Sequence, residues 1–191
     1  MNRQTIKHSC NPCKYLEDIS QLKRVDYFQF FCLPQQYNVD LNELNQHYKQ
    51  YQKFIHPDKF SLAADQLQEN STELSSFANN AYFTLINDLQ RAIYLLKLKG
   101  VNVMSEDEQT FDMEFIEIIF SIRMDVDQCE NIDELKEIHS EVKTELDVKL
   151  TSLKQLFEQK NYDDAKAEVE RVVFLEKVIN EIQEKEMSLK M

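Results

Sequence analysis

The stretch that decides the fold is 41-LNELNQHYKQYQKFIHPDKF-60. Leu41, Leu44, Tyr48, Tyr51 and Ile55 recur at three- and four-residue intervals, the spacing of an amphipathic helix. Asp40 stands just before them as an N-cap, and Glu43 three residues on completes a capping-box pattern of the Asp type. Pro57 ends the helix at or before His56, because the residue before a proline is pushed out of the α region. Lys49 and Lys53 lie four apart and share a face, with His47 nearby. Their neighbours on the helix are uncharged Gln and Asn, so the local positive field is not cancelled.

Downstream, a polar stretch over about 59–69 leads to Leu74, Phe77, Ala78, Ala81, Tyr82 and Leu85, a second helical stripe. Asp88 then caps a short helix over Leu89–Leu98 that stops at Gly100, the only glycine. Residues 27–99 thus read as a compact helical unit with an antiparallel pair at its heart. Upstream, residues 1–26 read as polar and irregular. Beyond a polar link over 101–110, three long helical patterns span about 111–128, 132–159 and 163–188, which predicts an antiparallel bundle. The chain is all-α and two-domain.

Composition narrows the function. The chain has 191 residues, one glycine and a net charge of -12. A phosphate loop or dinucleotide fingerprint needs several glycines, so both are excluded. Residues 61–191 carry 28 Asp/Glu against 14 Lys/Arg, a surface that repels phosphate and argues against nucleic acid. No apolar run approaches the ~18 residues of a membrane span. Four cysteines, unevenly spaced, do not make a secreted disulfide framework and point to a reducing compartment.

A helix with a basic face, His56-Pro57-Asp58, a polar loop and an apolar-striped helix together resemble the J domain. The flanking residues are similar to those of one branch, the HscB/Jac-type co-chaperones of iron–sulfur cluster assembly. Asp26-Tyr27-Phe28-Gln29-Phe30-Phe31-Cys32-Leu33-Pro34 resembles that family's opening, and His56-Pro57-Asp58-Lys59-Phe60 its loop. Asn79-Asn80-Ala81-Tyr82, Arg91-Ala92-Ile93-Tyr94-Leu95-Leu96 and Phe174-Leu175-Glu176-Lys177 resemble three further signatures. Cys32 stands where the family has glycine, and Asp88 where it has proline. The resemblance runs from about residue 26 to 185. It implies a J domain over 26–100, an antiparallel helical hairpin, after an N-terminal extension over 1–25. A linker over 101–110 and a three-helix scaffold-binding bundle over 111–191 follow.

The implied function is non-enzymatic. Lys49, Lys53, His56, Pro57 and Asp58 would dock on a heat-shock protein 70 (DnaK-type) chaperone and stimulate its ATPase. Asp58 would pair with a cation on that partner. On the helix at 111–128, Phe111, Phe115, Ile118, Ile119, Ile122 and Val126 fall on one predicted core stripe. Met113, Ile116, Phe120 and Met124 fall on the far side, a second stripe either buried by more protein or open to a partner. Phe174 and Val173 lie off the core stripe of the last helix in the same way. The resemblance assigns Ile116, Phe120 and Phe174, with Met124 beside them, to a U-type iron–sulfur scaffold delivered for [2Fe-2S] cluster transfer. Ser121 and Met124 replace acids common in the family.

Other readings stand beside this one. His56 and Asp58 could form an acid/base pair, but Pro57 separates their side chains and no nucleophile or metal cluster is nearby in sequence. A helical adaptor with an inactive J domain is a second reading. A general J protein would carry a Gly/Phe-rich linker, which one glycine cannot make. Cys10 and Cys13 supply two zinc ligands and His8 a third, leaving a metal site, free thiols or an intermolecular site open. No other cofactor is implied. Cys32 reads as core, and Cys129 as a turn or bundle-edge residue. The expected compartment is the mitochondrion, where eukaryotic members of the family mainly act, and the cytoplasm otherwise.

Overall fold

A computed structural model describes residues 12–103 and 113–190. The chain divides into two compact units, Met1–Arg91 and Ala92–Met191. Among the described residues the regular structure is helical throughout.

The first unit opens with α1 (Lys14–Glu17), a 3-10 turn (Ile19–Arg24) and α2 (Tyr27–Phe30). Residues 14–24 were expected to be irregular, yet they are built into the core. Tyr15, Leu16 and Leu22 are buried, and Asn70 Nδ2 donates to Leu16 O at 2.8 Å. A four-residue helix is too short to show a period, so its sequence carries no helical signal. A capping box sits at Asp26, whose side chain accepts from Gln29 N (2.8 Å) while Gln29 Oε1 accepts from Asp26 N (3.4 Å).

The heart of the unit is the hairpin of α3 (Leu41–Ile55) and α4 (Asp65–Ile86). Asp40 caps α3 as expected, accepting from Asn42 N and Glu43 N. Tyr82 OH donates to Asn45 Oδ1 (2.5 Å), and Asn79 Oδ1 accepts from Tyr48 OH (2.9 Å) and Gln52 Nε2 (2.7 Å). Residue numbers fall on α4 as they rise on α3, so the pair is antiparallel. Leu44, Tyr51 and Ile55 of α3 are buried together with Phe28, Phe30 and Phe31. Leu41 is exposed, and α4 starts inside the stretch expected to be a polar loop.

Cys32 takes a left-handed φ of 55°. That conformation crowds a Cβ and suits glycine, which accounts for glycine at this position in the resembling family. Cys32 is half-buried rather than core, and it is disulfide-bonded, where reduced thiols were expected. Helix α5 (Asp88–Leu98) is capped by Asn87, which accepts from Gln90 N (2.8 Å), and not by Asp88. Asp88 is the first helical residue, a place proline also suits, and it pairs there with Arg91. Buried Arg91 also donates to Tyr37 O (2.7 Å) and Leu85 O (2.6 Å). Burial pushes the Tyr37 phenol up to about 12, with Asp88 adding to the rise and Arg91 opposing it. Gly100, at φ 80°, ends α5 in a Schellman motif, with Val101 N donating to Leu96 O and Gly100 N to Lys97 O.

The second unit is the bundle of α6 (Met113–Gln128), α7 (Ile132–Glu158) and α8 (Tyr162–Leu189), close to the expected spans. Phe115 meets Phe174, Arg123 pairs with Glu181 (2.9 Å), and Lys185 Nζ donates to Asp127 O (2.7 Å). These contacts ascend both helices, so α6 runs parallel to α8. The core joins Ile119, Val126, Leu135, Val142, Leu175 and Val178. Cys129, expected at the edge, is buried in it, and its thiol donates to Asn131 O (3.1 Å). Phe111 lies outside the described residues.

Candidate functional site

The turn after α3 is held from several sides. His56 N donates to Gln52 O, closing the last helical turn, and Ser71 Oγ reaches from α4 to Ile55 O (2.9 Å). Pro57 then starts a 3-10 turn, Pro57–Phe60, in which Lys59 N donates to His56 O (3.1 Å) and Ser61 Oγ to Asp58 O (3.1 Å). The Lys59 ammonium donates back to Lys53 O. The turn is thus fixed to both helices while His56 and Asp58 remain exposed.

His56 and Asp58 are not separated by Pro57. His56 Nδ1 accepts from Asp58 N (3.3 Å) and lies 3.5 Å from Asp58 Oδ2. The tight turn folds the imidazole over the backbone of residue 58. An unprotonated Nδ1 caps that N–H, whereas a protonated one would donate to the carboxylate. Asp58 keeps 88% of its side chain exposed, so its charge is available to an outside cation. Lys49 and Lys53 are exposed on α3, one helical turn apart, leading to the same end of the hairpin. Sequence reasoning passed over Phe54, which is 49% exposed beside Lys53. An aromatic off the apolar stripe of α3 and next to a basic residue was the available signal.

On the bundle, the two α6 stripes divide as expected in part. Ile119 and Val126 are buried and Ile122 is half-buried against the core. Phe120 is 65% exposed, Met124 44% and Met113 68%, while Ile116 is half-buried. Phe174 is half-buried on α8, its ring 6.4 Å from that of Phe115 and 5.6 Å from Lys177 Nζ. An apolar strip therefore runs along α6 at Ile116, Phe120 and Met124, and Phe174 borders the same helix. Ile118 departs from its expected core position: it is 52% exposed, because α6 packs chiefly on α8 and stands off from α7.

Cys10 and His8 lie outside the described residues. Cys13 is half-buried, and burial pushes its pKa up. Among the described residues no group of three His, Cys, Asp or Glu could hold a metal ion. No helix there is long and apolar enough to cross a membrane.

An antiparallel hairpin displaying His56-Pro57-Asp58 at its end, followed by a three-helix bundle, defines a J-domain co-chaperone. Residues 111–183 match the family described as the HSCB C-terminal oligomerisation domain. The iron-sulfur cluster co-chaperone protein HscB homolog of Arabidopsis thaliana is 32% identical over 176 residues, 92% of this chain and 69% of that one. The co-chaperone protein HscB homolog of Neisseria meningitidis serogroup A is 33% identical over 159 residues, 82% of this chain and 96% of that one. The crystal structure of human co-chaperone protein HscB superposes with a TM-score of 0.81 at 29% identity, covering 84% of this chain and 82% of that one. The chain belongs to the HscB family of co-chaperones.

Proposed function

We propose that this co-chaperone acts in iron–sulfur cluster assembly by bringing a U-type scaffold to a heat-shock protein 70 (DnaK-type) chaperone and stimulating that chaperone's ATPase. The observation that carries the reading is the exposed His56-Pro57-Asp58 turn, rigidly held beside Lys49 and Lys53. Docking of the turn and this basic face favours the chaperone's hydrolysis-competent state, so the chemistry is the partner's and the effect is differential binding. Asp58 pairs with a cation on the chaperone, and His56 holds the turn that presents it. The scaffold is held on Ile116, Phe120, Met124 and Phe174, whose exposed apolar surface docking would cover. Ser121 and Met124 make this surface less acidic than is common in the family, so client recognition leans on apolar contact.

The function needs no resident cofactor, and no step is routed through zinc at Cys10 and Cys13. The [2Fe-2S] cluster is the scaffold's cargo. The proposed compartment is the mitochondrion, following the eukaryotic branch of the family. Steady-state ATP hydrolysis by the cognate chaperone tests the reading. Stimulation that disappears in His56→Gln and Asp58→Asn supports it; equal stimulation by these variants and the wild type sinks it.

A further inference from the structure

Ile118 and Phe120 are two residues apart on α6, which places them about 200° apart around the helix. Both are more than half exposed. The scaffold strip therefore accounts for only one side of α6. On the other side, Phe115, Ile118 and Ile122 face Ile138 and Val142 of α7 across an open groove of about 350 Å³, floored by Ile119 and Leu175. Apolar side chains from two long helices line it, with three carboxylates among them. An apolar groove open between two helices of a bundle is where a partner's amphipathic helix can lay its apolar face.

The charge around the groove selects the occupant. Asp125, Glu141 and Glu145 line it, and no Lys or Arg does. Glu145 reaches its own Lys149 (3.1 Å), whereas Asp125 and Glu141 have no cation partner among the described residues. Over residues 113–158 the chain carries twelve Asp/Glu against five Lys/Arg. A second copy docking by the same face would bring the same acidic helices to the groove and be repelled, since like charges across an interface disfavour the wrong partner. We infer that the α6–α7 groove is a second docking surface, distinct from the scaffold strip, and that it takes a cationic amphipathic helix of a partner protein. Aliphatic side chains at i, i+3 and i+4 of that helix fill the groove between Ile118 and Ile138, and its Lys or Arg side chains meet Asp125 and Glu141.

The test is fluorescence anisotropy on the full chain with a labelled model helix of about five turns, made of Leu and Lys. A control peptide has every Lys replaced by Glu. Ile118→Lys and Glu141→Lys alter exposed residues, so the fold survives both, as far-UV circular dichroism verifies. The expected result is saturable binding of the Lys peptide and at least about tenfold weaker binding of the Glu peptide. Ile118→Lys is expected to weaken the Lys peptide by at least about tenfold, the effect of losing one well-buried aliphatic side chain. Glu141→Lys weakens it too, and Phe120→Ala leaves it unchanged. Any of four results overturns the inference: no binding, equal binding of both peptides, loss confined to Phe120→Ala, or wild-type dimers that Ile118→Lys dissociates.

Discussion

Replacing Phe120 with alanine separates binding from folding. Phe120 is 65% exposed in the free protein, and a phenylalanine buries roughly 150–250 Å² when fully covered. Docking can therefore remove up to about 100–160 Å² of this ring from water. At ~25 cal/mol per Å² the ceiling is about 2.5–4 kcal/mol. Partial coverage by a real partner brings this to about 2 kcal/mol, or roughly thirtyfold in Kd. The free protein loses far less, within about 1 kcal/mol, because only about a third of the ring contacts its own bundle. Calorimetric titration of the U-type scaffold into Phe120→Ala measures the first quantity, and thermal unfolding followed at 222 nm the second. An affinity within about threefold of wild type would show that Phe120 is not part of the docking surface. A large fall in Tm would show instead that the ring is structural, and that the exposure of α6 has been misread.

Other perturbations test the units separately. Glu176 is half-buried, and burial pushes its pKa up from the ordinary carboxylate range. An acid raised on folding contributes stability that is full below its unfolded pKa and lost as pH rises through its folded one. Glu176→Gln therefore raises Tm at pH 7, and the gain shrinks toward zero near pH 4 in a pH series of melts. Arg91→Leu strands the carbonyls of Tyr37 and Leu85, at a cost of roughly 3 kcal/mol in urea unfolding; a loss under about 1 kcal/mol would mean water replaces the guanidinium. Asp40→Ala removes the α3 cap and lowers stability by about 1 kcal/mol, with no change in chaperone stimulation once temperature is reduced. Under reducing conditions Cys32→Gly keeps or raises Tm, while Cys32→Val lowers it, because a β-branched residue does not tolerate φ near 55°.

The sequence disclosed whatever is governed by period and punctuation. Pro57 and Gly100 mark where α3 and α5 stop, Asp40 marks where α3 starts, and the apolar spacing sets all three bundle helices within a few residues. Features that depend on tertiary placement were not legible. Tyr15, Leu16 and Leu22 occupy helical turns too short to show a period, so nothing local announces that α4 buries them. Asn87 and Asp88 are both competent caps, and the neighbouring Arg91 decides between them by claiming Asp88. The wheel put Ile118 in the core because it lies about 60° from Phe115. Its exposure reflects the tilt of α6 toward α8, which a single-helix projection does not contain. At the proposed site, the geometry was not legible. The 3.5 Å approach of His56 and Asp58 arises from the 3-10 turn that Pro57 initiates, where an extended loop would have kept them apart.

On the proposed function, one chain couples a chaperone's ATPase to a scaffold through two separate surfaces. The most direct measurement is the rate of [2Fe-2S] transfer from the U-type scaffold to an apo acceptor, in the presence of the DnaK-type chaperone and ATP. The wild-type protein is expected to accelerate transfer, and the acceleration is abolished in His56→Gln and, independently, in Phe120→Ala. Acceleration that survives His56→Gln would contradict the proposed function, leaving a protein that acts on the scaffold without engaging the chaperone.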